Sequence, residues 1–111
     1  AFNFGPKDSQ NRTVLELIEE LQSNWSMSNE PKIKVKKNTE FYEASLLKLN
    51  CDKALMHLNW EPNLDFMQTT SFVASWYNNF FTNDQDILSY TNKQIQSYCE
   101  IAFKQGKDWT K

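Results

Sequence analysis

Three pairs of residues, each spaced as in the capping box that starts a helix, constrain the fold of this chain more than any other feature of its sequence. In a capping box, the N-cap side chain accepts a hydrogen bond from the backbone N–H three residues later. The Glu or Gln at that later position accepts one from the N-cap N–H in return. The spacing occurs at Thr13 and Glu16, at Asp65 and Gln68, and at Thr91 and Gln94. We therefore predict three helices that begin at these sites.

Apolar residues recur every three or four positions after each box, as they do on one face of an amphipathic helix. The stripe after the first box consists of Val14, Leu17, Ile18, Leu21 and Trp25. The middle helix has a wide, largely aromatic face over residues 66–81, and we expect this helix to be deeply packed. The last helix has an apolar stripe over residues 95–103, and Gly106 is predicted to cap its C-terminus.

A shorter fourth helix is predicted between the first two capping-box helices. Asn50 is a suitable N-cap, and a nearby proline favours an end close to Asn59. This helix would turn Ala54, Leu55 and Leu58 inward.

Two segments have the pattern of β-strands. Residues 1–6 alternate large apolar with small or polar residues and stop at Gly-Pro, and residues 32–36 alternate lysines with Ile33 and Val35. A further short extended piece is expected at 45–49. Two strands cannot form a stable sheet alone, and the first of them begins at residue 1 with no partner upstream. We therefore predict an α/β (α+β) fragment, mostly helical with two or three short strands, which forms one domain over 1–111 and belongs to a larger protein.

The charge and apolar content exclude several classes of function. Twelve basic and fourteen acidic residues give a net charge of −2, a balance that argues against a nucleic-acid-binding protein. No apolar run reaches the roughly 18 residues of a membrane span, and no signal peptide is present, so we expect a cytoplasmic protein without a membrane partner. Cys51 and Cys99 each lie in an apolar helical pattern, which favours reduced core thiols over a disulfide or a zinc site.

The residues that catalysis or cofactor binding would need are scarce. The chain has two glycines, Gly5 and Gly106, so it cannot form a glycine-rich loop for a dinucleotide pyrophosphate. His57 is the single histidine and has no second histidine or carboxylate at metal-ligand spacing, so we expect a surface histidine. We thus predict no catalytic, cofactor or metal site from these residues.

Three stretches resemble a known family over nearly the whole chain. They are residues 1–6 leading into the Thr13 helix, residues 43–54 with Glu-Ala before Asn-Cys-Asp-Lys-Ala, and Leu-Asn-Trp-Glu-Pro at 58–62 followed by Trp-Tyr at 76–77. In order and spacing they resemble the C-terminal region of the extended short-chain dehydrogenase/reductases, a family of NAD-dependent nucleotide-sugar epimerases and dehydratases. Within that family they look most like the CDP-glucose 4,6-dehydratases.

The resemblance implies a lyase that converts CDP-glucose to CDP-4-keto-6-deoxyglucose, with loss of water, in deoxysugar and polysaccharide biosynthesis. It implies an upstream Rossmann domain that binds NAD and is absent from this chain, a CDP-sugar substrate covered by the present portion, and a homodimer at full length. The family's Tyr-x-x-x-Lys pair is missing, since Tyr90 is followed by Lys93 one position too early. The 111 residues alone are therefore expected to be inactive and to need no cofactor.

Two residues are predicted from the resemblance to bind the substrate. Tyr42 and Glu43 fall in the loop where family members contact the ribose and phosphates, and a carboxylate there can accept hydrogen bonds from sugar hydroxyls. Relatives often place an arginine just before this acid, where the present chain has Glu40 and Phe41, and CDP-glucose dehydratases tend to have His in place of Tyr42.

Three alternatives stay open at this point. Tyr42 and Glu43 could serve only to shape a loop. The chain could belong to another NAD-dependent dehydratase or epimerase, which acts on a different nucleotide sugar. The chain could also be a noncatalytic sugar-nucleotide-binding module.

Overall fold

The computed structural model describes residues 1–7, 10, 12–25, 49–82 and 86–111, and the structural statements below refer to these residues. Their regular elements are α1 (Val14–Ser23), α2 (Asp52–Leu58), α3 (Phe66–Thr82), α4 (Ile87–Lys104) and a 3₁₀ turn (Asp108–Thr110). Helix α3 lies at the centre, with α1 and α4 packed against it, and the 3₁₀ turn folds back onto α4.

The α/β prediction is wrong, because the described ranges are helical and contain no strand. A strand requires a neighbouring backbone with which to form a ladder of hydrogen bonds. Residues 1–6 lie instead beside the start of α2, where the side-chain amide of Asn3 donates to the Asn50 carbonyl oxygen at 3.2 Å. The predicted strand at 32–36, and the extended piece at 45–49 apart from Leu49, lie outside the described residues.

The first two capping boxes are confirmed. Thr13 Oγ1 accepts from the Glu16 N–H at 3.2 Å, and Glu16 Oε2 accepts from the Thr13 N–H at 2.7 Å. At the start of α3, Asp65 Oδ1 accepts from the Gln68 N–H at 2.8 Å and Gln68 Oε1 accepts from the Asp65 N–H at 3.0 Å. Each box satisfies two backbone N–H groups that have no partner within the helix.

The third predicted capping box is wrong. Helix α4 begins five residues earlier, at Ile87, because Asp86 serves as its N-cap and accepts from the Ser89 N–H at 3.0 Å. Thr91 and Gln94 therefore lie inside the helix, and both side chains connect α4 to α3.

The face that α3 buries is not the aromatic face. Its buried residues are Thr70, Ala74 and Asn78, spaced four apart, and such small side chains allow neighbouring helices to approach closely. The Thr70 hydroxyl is satisfied within the helix by the Phe66 carbonyl at 3.0 Å. The helix is therefore packed through its small and polar side chains, while the aromatic Phe81 is 58% exposed.

Helix α2 matches its predicted position but buries fewer apolar side chains than expected. The N-cap residue of the helix is Cys51, but the Asn50 side chain makes the capping contact: its Oδ1 accepts from the Asp52 N–H at 2.9 Å. At the other end, the C-cap residue Asn59 adopts the left-handed conformation. Ala54 is fully buried. Leu55 and Leu58 are 43% and 51% exposed, so their predicted inward orientation is wrong.

Gly106 ends α4 as predicted, in a Schellman arrangement. Its N–H donates to the Phe103 carbonyl at 2.9 Å, and the Lys107 N–H donates to the Ala102 carbonyl at 3.1 Å. The φ angle of Gly106 is +71°, in the left-handed region that costs other L-residues energy.

Replacing Gly106 with Ala should lower the free energy of unfolding by about 1 kcal/mol, with Asn intermediate, because nothing within 4 Å crowds an added Cβ and only the backbone angle is strained. Urea denaturation measures the change. Gly5→Ala is the matched control: its Cβ would lie at an ordinary contact distance of 3.4 Å from Cys51 Sγ, and its φ is unstrained. Equal effects at the two glycines would contradict the conformational explanation.

Candidate functional site

The N-terminal segment, the start of α2 and the Trp-Glu-Pro motif meet in space. The Phe4 ring packs edge-on against Trp60, with 4.9 Å between the ring centroids. A Cβ on Gly5 would lie 3.4 Å from Cys51 Sγ, so the N-terminal segment passes close to the start of α2. The N-terminal residues thus form one surface with α2 and the motif that follows it.

An apolar cleft of about 560 Å³ opens beside this junction. Its walls include Phe4, Val14, Leu17, Trp60 and Phe66. This volume is within the range of small-molecule sites, which are commonly lined by apolar and aromatic side chains with a few polar groups. We refer to it as the apolar cleft.

Arg12 lies in the lining of the apolar cleft, where its guanidinium carbon is 5.2 Å from the centroid of the Phe66 ring. The same guanidinium is paired with Glu16, 3.2 Å away. The backbone hydrogen bond from Thr13 is the main cause of a lowered pKa at Glu16, and Arg12 adds to it. The described residues that line the cleft include no carboxylate, thiol or imidazole, so the cleft can hold an apolar group but offers no general acid or base of those types.

A polar cleft of about 490 Å³ shares Pro62 and Asn63 with the apolar one. In its wall, Glu61 Oε2 lies 2.9 Å from Lys107 Nζ and 3.5 Å from Lys7 Nζ. The hydrogen bond from Lys107, together with the two positive charges, holds the pKa of Glu61 below its usual range. This ion-pair network connects the N-terminal segment, the Trp-Glu-Pro motif and the C-terminal turn.

The ion-pair network should make the stability depend on pH and salt. Because the folded pKa of Glu61 is lowered, its contribution is fully present above the ordinary glutamate pKa of about 4.3 and is lost as the pH falls through the folded value. We expect Glu61→Gln to lower the melting temperature at pH 7, and the difference from wild type to shrink as the pH falls through the lowered pKa of Glu61.

A thermal-melt series from pH 7 to pH 3 tests this expectation. Salt at about 1 M should also shrink the difference, since it screens exposed charges. Glu100→Gln, at an exposed position on α4, is the control. A Glu61 difference that persists unchanged at pH 3 would contradict the assignment.

The structure places neither of the predicted substrate-binding residues. Tyr42 and Glu43 lie outside the described ranges, so their role stays a prediction. His57 is exposed on α2, as expected, with its ring centroid 6.4 Å from that of Phe2. Across the described part of the chain, no three or more His, Cys, Asp or Glu residues are grouped to hold a metal ion.

Cys51 and Cys99 are both free thiols, as predicted. Cys51 is half-buried, but Cys99 is exposed, so the expectation that Cys99 is a core thiol is wrong. None of the helices in the described ranges combines the length and apolar character that a membrane crossing requires.

Sequence reasoning missed the contacts that organise the two clefts. Lys107 and Glu61 are 46 residues apart, and neither belongs to a periodic pattern that would reveal the pair. Arg12 precedes the first capping box, and nothing in its local sequence indicates a contact with Phe66. The one sequence feature that could have drawn attention to Glu61 is its position within the Trp-Glu-Pro motif of the resemblance.

Comparison with known proteins indicates a distant relation to a nucleotide-sugar dehydratase. The CDP-glucose 4,6-dehydratase of Salmonella typhimurium is 27% identical to this chain over 97 residues. The match covers 87% of this chain but 26% of the dehydratase, so the chain spans about a quarter of the length of that relative. No protein-family model and no solved structure matches the chain.

Proposed function

We propose that this chain is the C-terminal, substrate-covering portion of an NAD-dependent dehydratase that converts CDP-glucose to CDP-4-keto-6-deoxyglucose. The observation that carries the proposal is the match to the Salmonella CDP-glucose 4,6-dehydratase, which covers 87% of this chain. The contacts of the N-terminal segment with Trp60 and with the start of α2, which bring parts of the resembling stretches together, support it. A cytoplasmic location and a homodimer at full length are parts of the same proposal.

The chemistry of the described clefts supports a binding role for this portion. The apolar cleft offers packing surface without a carboxylate or imidazole among its described lining residues. In the polar cleft, Glu61 is engaged by two lysines and stays ionised, so it is a poor proton donor near neutral pH. Hydride and proton transfer are therefore assigned to a separate NAD-binding domain, and NAD is not proposed to bind these 111 residues.

Tyr42 and Glu43 are proposed to contact the substrate. A carboxylate is an acceptor with two oxygens, and sugar hydroxyls donate to it. Hydrogen bonds to a charged group contribute about 1.5–3 kcal/mol. Loss of the Glu43 charge should therefore weaken substrate binding by roughly tenfold or more.

Titration of the complete gene product with nucleotide sugars tests the substrate assignment. CDP-glucose should raise the melting temperature by mass action, while dTDP-glucose and GDP-mannose should not. Glu43→Gln should weaken the CDP-glucose response, and Glu19→Gln, at an exposed position on α1, is the matched control. A response to another nucleotide sugar would indicate a different dehydratase or epimerase.

A second candidate is a noncatalytic module that binds sugar nucleotides. The described residues that line the apolar cleft include no carboxylate or imidazole, which fits this candidate as well as the first. Binding of CDP-glucose by the complete gene product without any turnover would select this candidate. Failure to bind any of the three nucleotide sugars would overturn both.

A further inference from the structure

Helix α1 leaves much of its apolar stripe uncovered by the described part of the chain. None of its 10 residues is buried, and Val14, Leu17 and Ile18 are 73%, 40% and 37% exposed. An isolated helix shorter than about 12–15 residues is marginal in water, and helices in proteins draw most of their stability from packing of an amphipathic face. A group that stabilises α1 has to be present throughout, so we expect a permanent neighbour instead of a transient ligand.

The contacts that hold α1 to α3 lie at the far end of the helix. The Asn24 carbonyl accepts from the Asn78 amide at 3.1 Å, and Trp25 stacks on Tyr77 with 6.4 Å between the ring centroids. Val14 is ten residues before Asn24, a rise of about 15 Å along a helix. Helix α3 thus anchors the C-terminal end of α1, while Val14 at the other end stays exposed.

The N-terminal segment lies along the same exposed side. Phe4 lines the apolar cleft together with Val14 and Leu17, and it is 51% exposed. Ala1 is three residues before Phe4, so the two Cα atoms are at most about 11 Å apart. Any group joined to residue 1 is therefore held beside the cleft. We refer to Phe4, Val14, Leu17 and Ile18 as the entry surface.

The proposed function supplies a group that is joined to residue 1. The match covers 26% of the Salmonella dehydratase, so about three quarters of that protein lies outside it. If this chain is the C-terminal portion of such an enzyme, the separate NAD-binding domain precedes residue 1. A short link holds two parts of a chain together at an effective concentration in the millimolar range, which favours the linked domain over any free partner.

We propose that the separate NAD-binding domain of the complete enzyme packs against the entry surface, so that α1 forms part of the boundary between the two domains. This inference rests on the proposed function and assigns one side of the apolar cleft to domain packing. Interfaces between domains of one chain bury about 600–1,500 Å², an area that suffices because the two sides are already joined.

Thiol labelling of Val14→Cys with N-ethylmaleimide tests the proposal. Mass spectrometry of the peptide that contains residue 14 gives its rate separately from Cys51 and Cys99. We expect labelling at least about tenfold slower in the complete gene product than in the 111-residue chain, since a covered thiol reacts only when its surroundings open. Glu19→Cys, at an exposed position on the polar side of α1, is the matched control and should react equally fast in both proteins.

A diazirine amino acid in place of Val14 then identifies the neighbour by photocrosslinking in the complete gene product. The expected crosslinks join position 14 to residues that precede residue 1 in the same molecule. Crosslinks to another part of this chain or to a second copy would overturn the proposal, as would fast labelling in the complete gene product or slow labelling in both proteins. Circular dichroism verifies folding, and Leu17→Cys replaces Val14→Cys if that variant does not fold.

The same protein separates this inference from the proposed function. Conversion of CDP-glucose by a gene product in which position 14 is labelled fast would contradict the inference alone. Crosslinks to the preceding residues without conversion of CDP-glucose would contradict the proposed reaction alone.

Discussion

Replacing Trp76 with Ala should lower the free energy of unfolding by about 3 kcal/mol, because truncation of a packed tryptophan loses burial and leaves a cavity. Trp76 stacks on Phe80, and its indole N–H donates to Thr91 Oγ1 on α4 at 2.9 Å. The side chain thus connects α3 to α4. We expect the melting temperature to fall by roughly 15 °C.

A graded series separates the packing of Trp76 from its hydrogen bond. Trp76→Phe retains an aromatic ring and loses the N–H, which should cost about 1 kcal/mol. Thr91→Val removes the acceptor, and a double-mutant cycle of the two should show coupling of about 1 kcal/mol. Urea denaturation followed by far-UV circular dichroism gives each value. Additive effects in the cycle would show that the hydrogen bond does not form.

Replacing Ala74 with Leu should destabilise the protein by about 2 kcal/mol, since extra methylene groups in a filled site force side chains and backbone to shift. Ala74 is 0% exposed on α3, the helix against which both α1 and α4 pack. Ser71→Leu, at an exposed position on the same helix, is the control and should change stability by less than about 0.5 kcal/mol. Equal effects of the two substitutions would show that the Ala74 face is not tightly packed.

The helix starts were predictable where local chemistry decides them. The boxes at Thr13 and Asp65 form because each pair of residues satisfies its own backbone groups, whatever packs nearby. At α4, two possible N-caps, Asp86 and Thr91, lie five residues apart, and the helix uses the earlier one. Thr91 and Gln94 then become available to bind α3, a tertiary outcome that local spacing cannot reveal.

The buried face of α3 was not predictable from periodicity. The helix has two candidate faces, one aromatic and one built from Thr70, Ala74 and Asn78. Hydrophobicity favours the aromatic face, but the small residues allow closer approach of the neighbouring helices. The side-chain amide of Asn78 also donates to the Asn24 carbonyl at 3.1 Å, at the end of α1. Such long-range partners decide which face is buried.

The candidate site was only partly predictable. The resemblance identified the segments around Phe4 and Trp60, and the structure brings these segments together at the apolar cleft. The ion pairs of Lys7 and Lys107 with Glu61 could not be predicted, because no pattern in the sequence around these residues indicates such long-range contacts. Tyr42 and Glu43 remain predictions from the resemblance alone.

The most direct measurement is a product assay on the complete gene product, supplied with NAD and CDP-glucose and followed by mass spectrometry. If this chain belongs to a CDP-glucose 4,6-dehydratase, a product lighter by one water should form, and the 111-residue chain alone should form none. Conversion of a different nucleotide sugar, or binding of CDP-glucose without loss of water, would contradict that assignment.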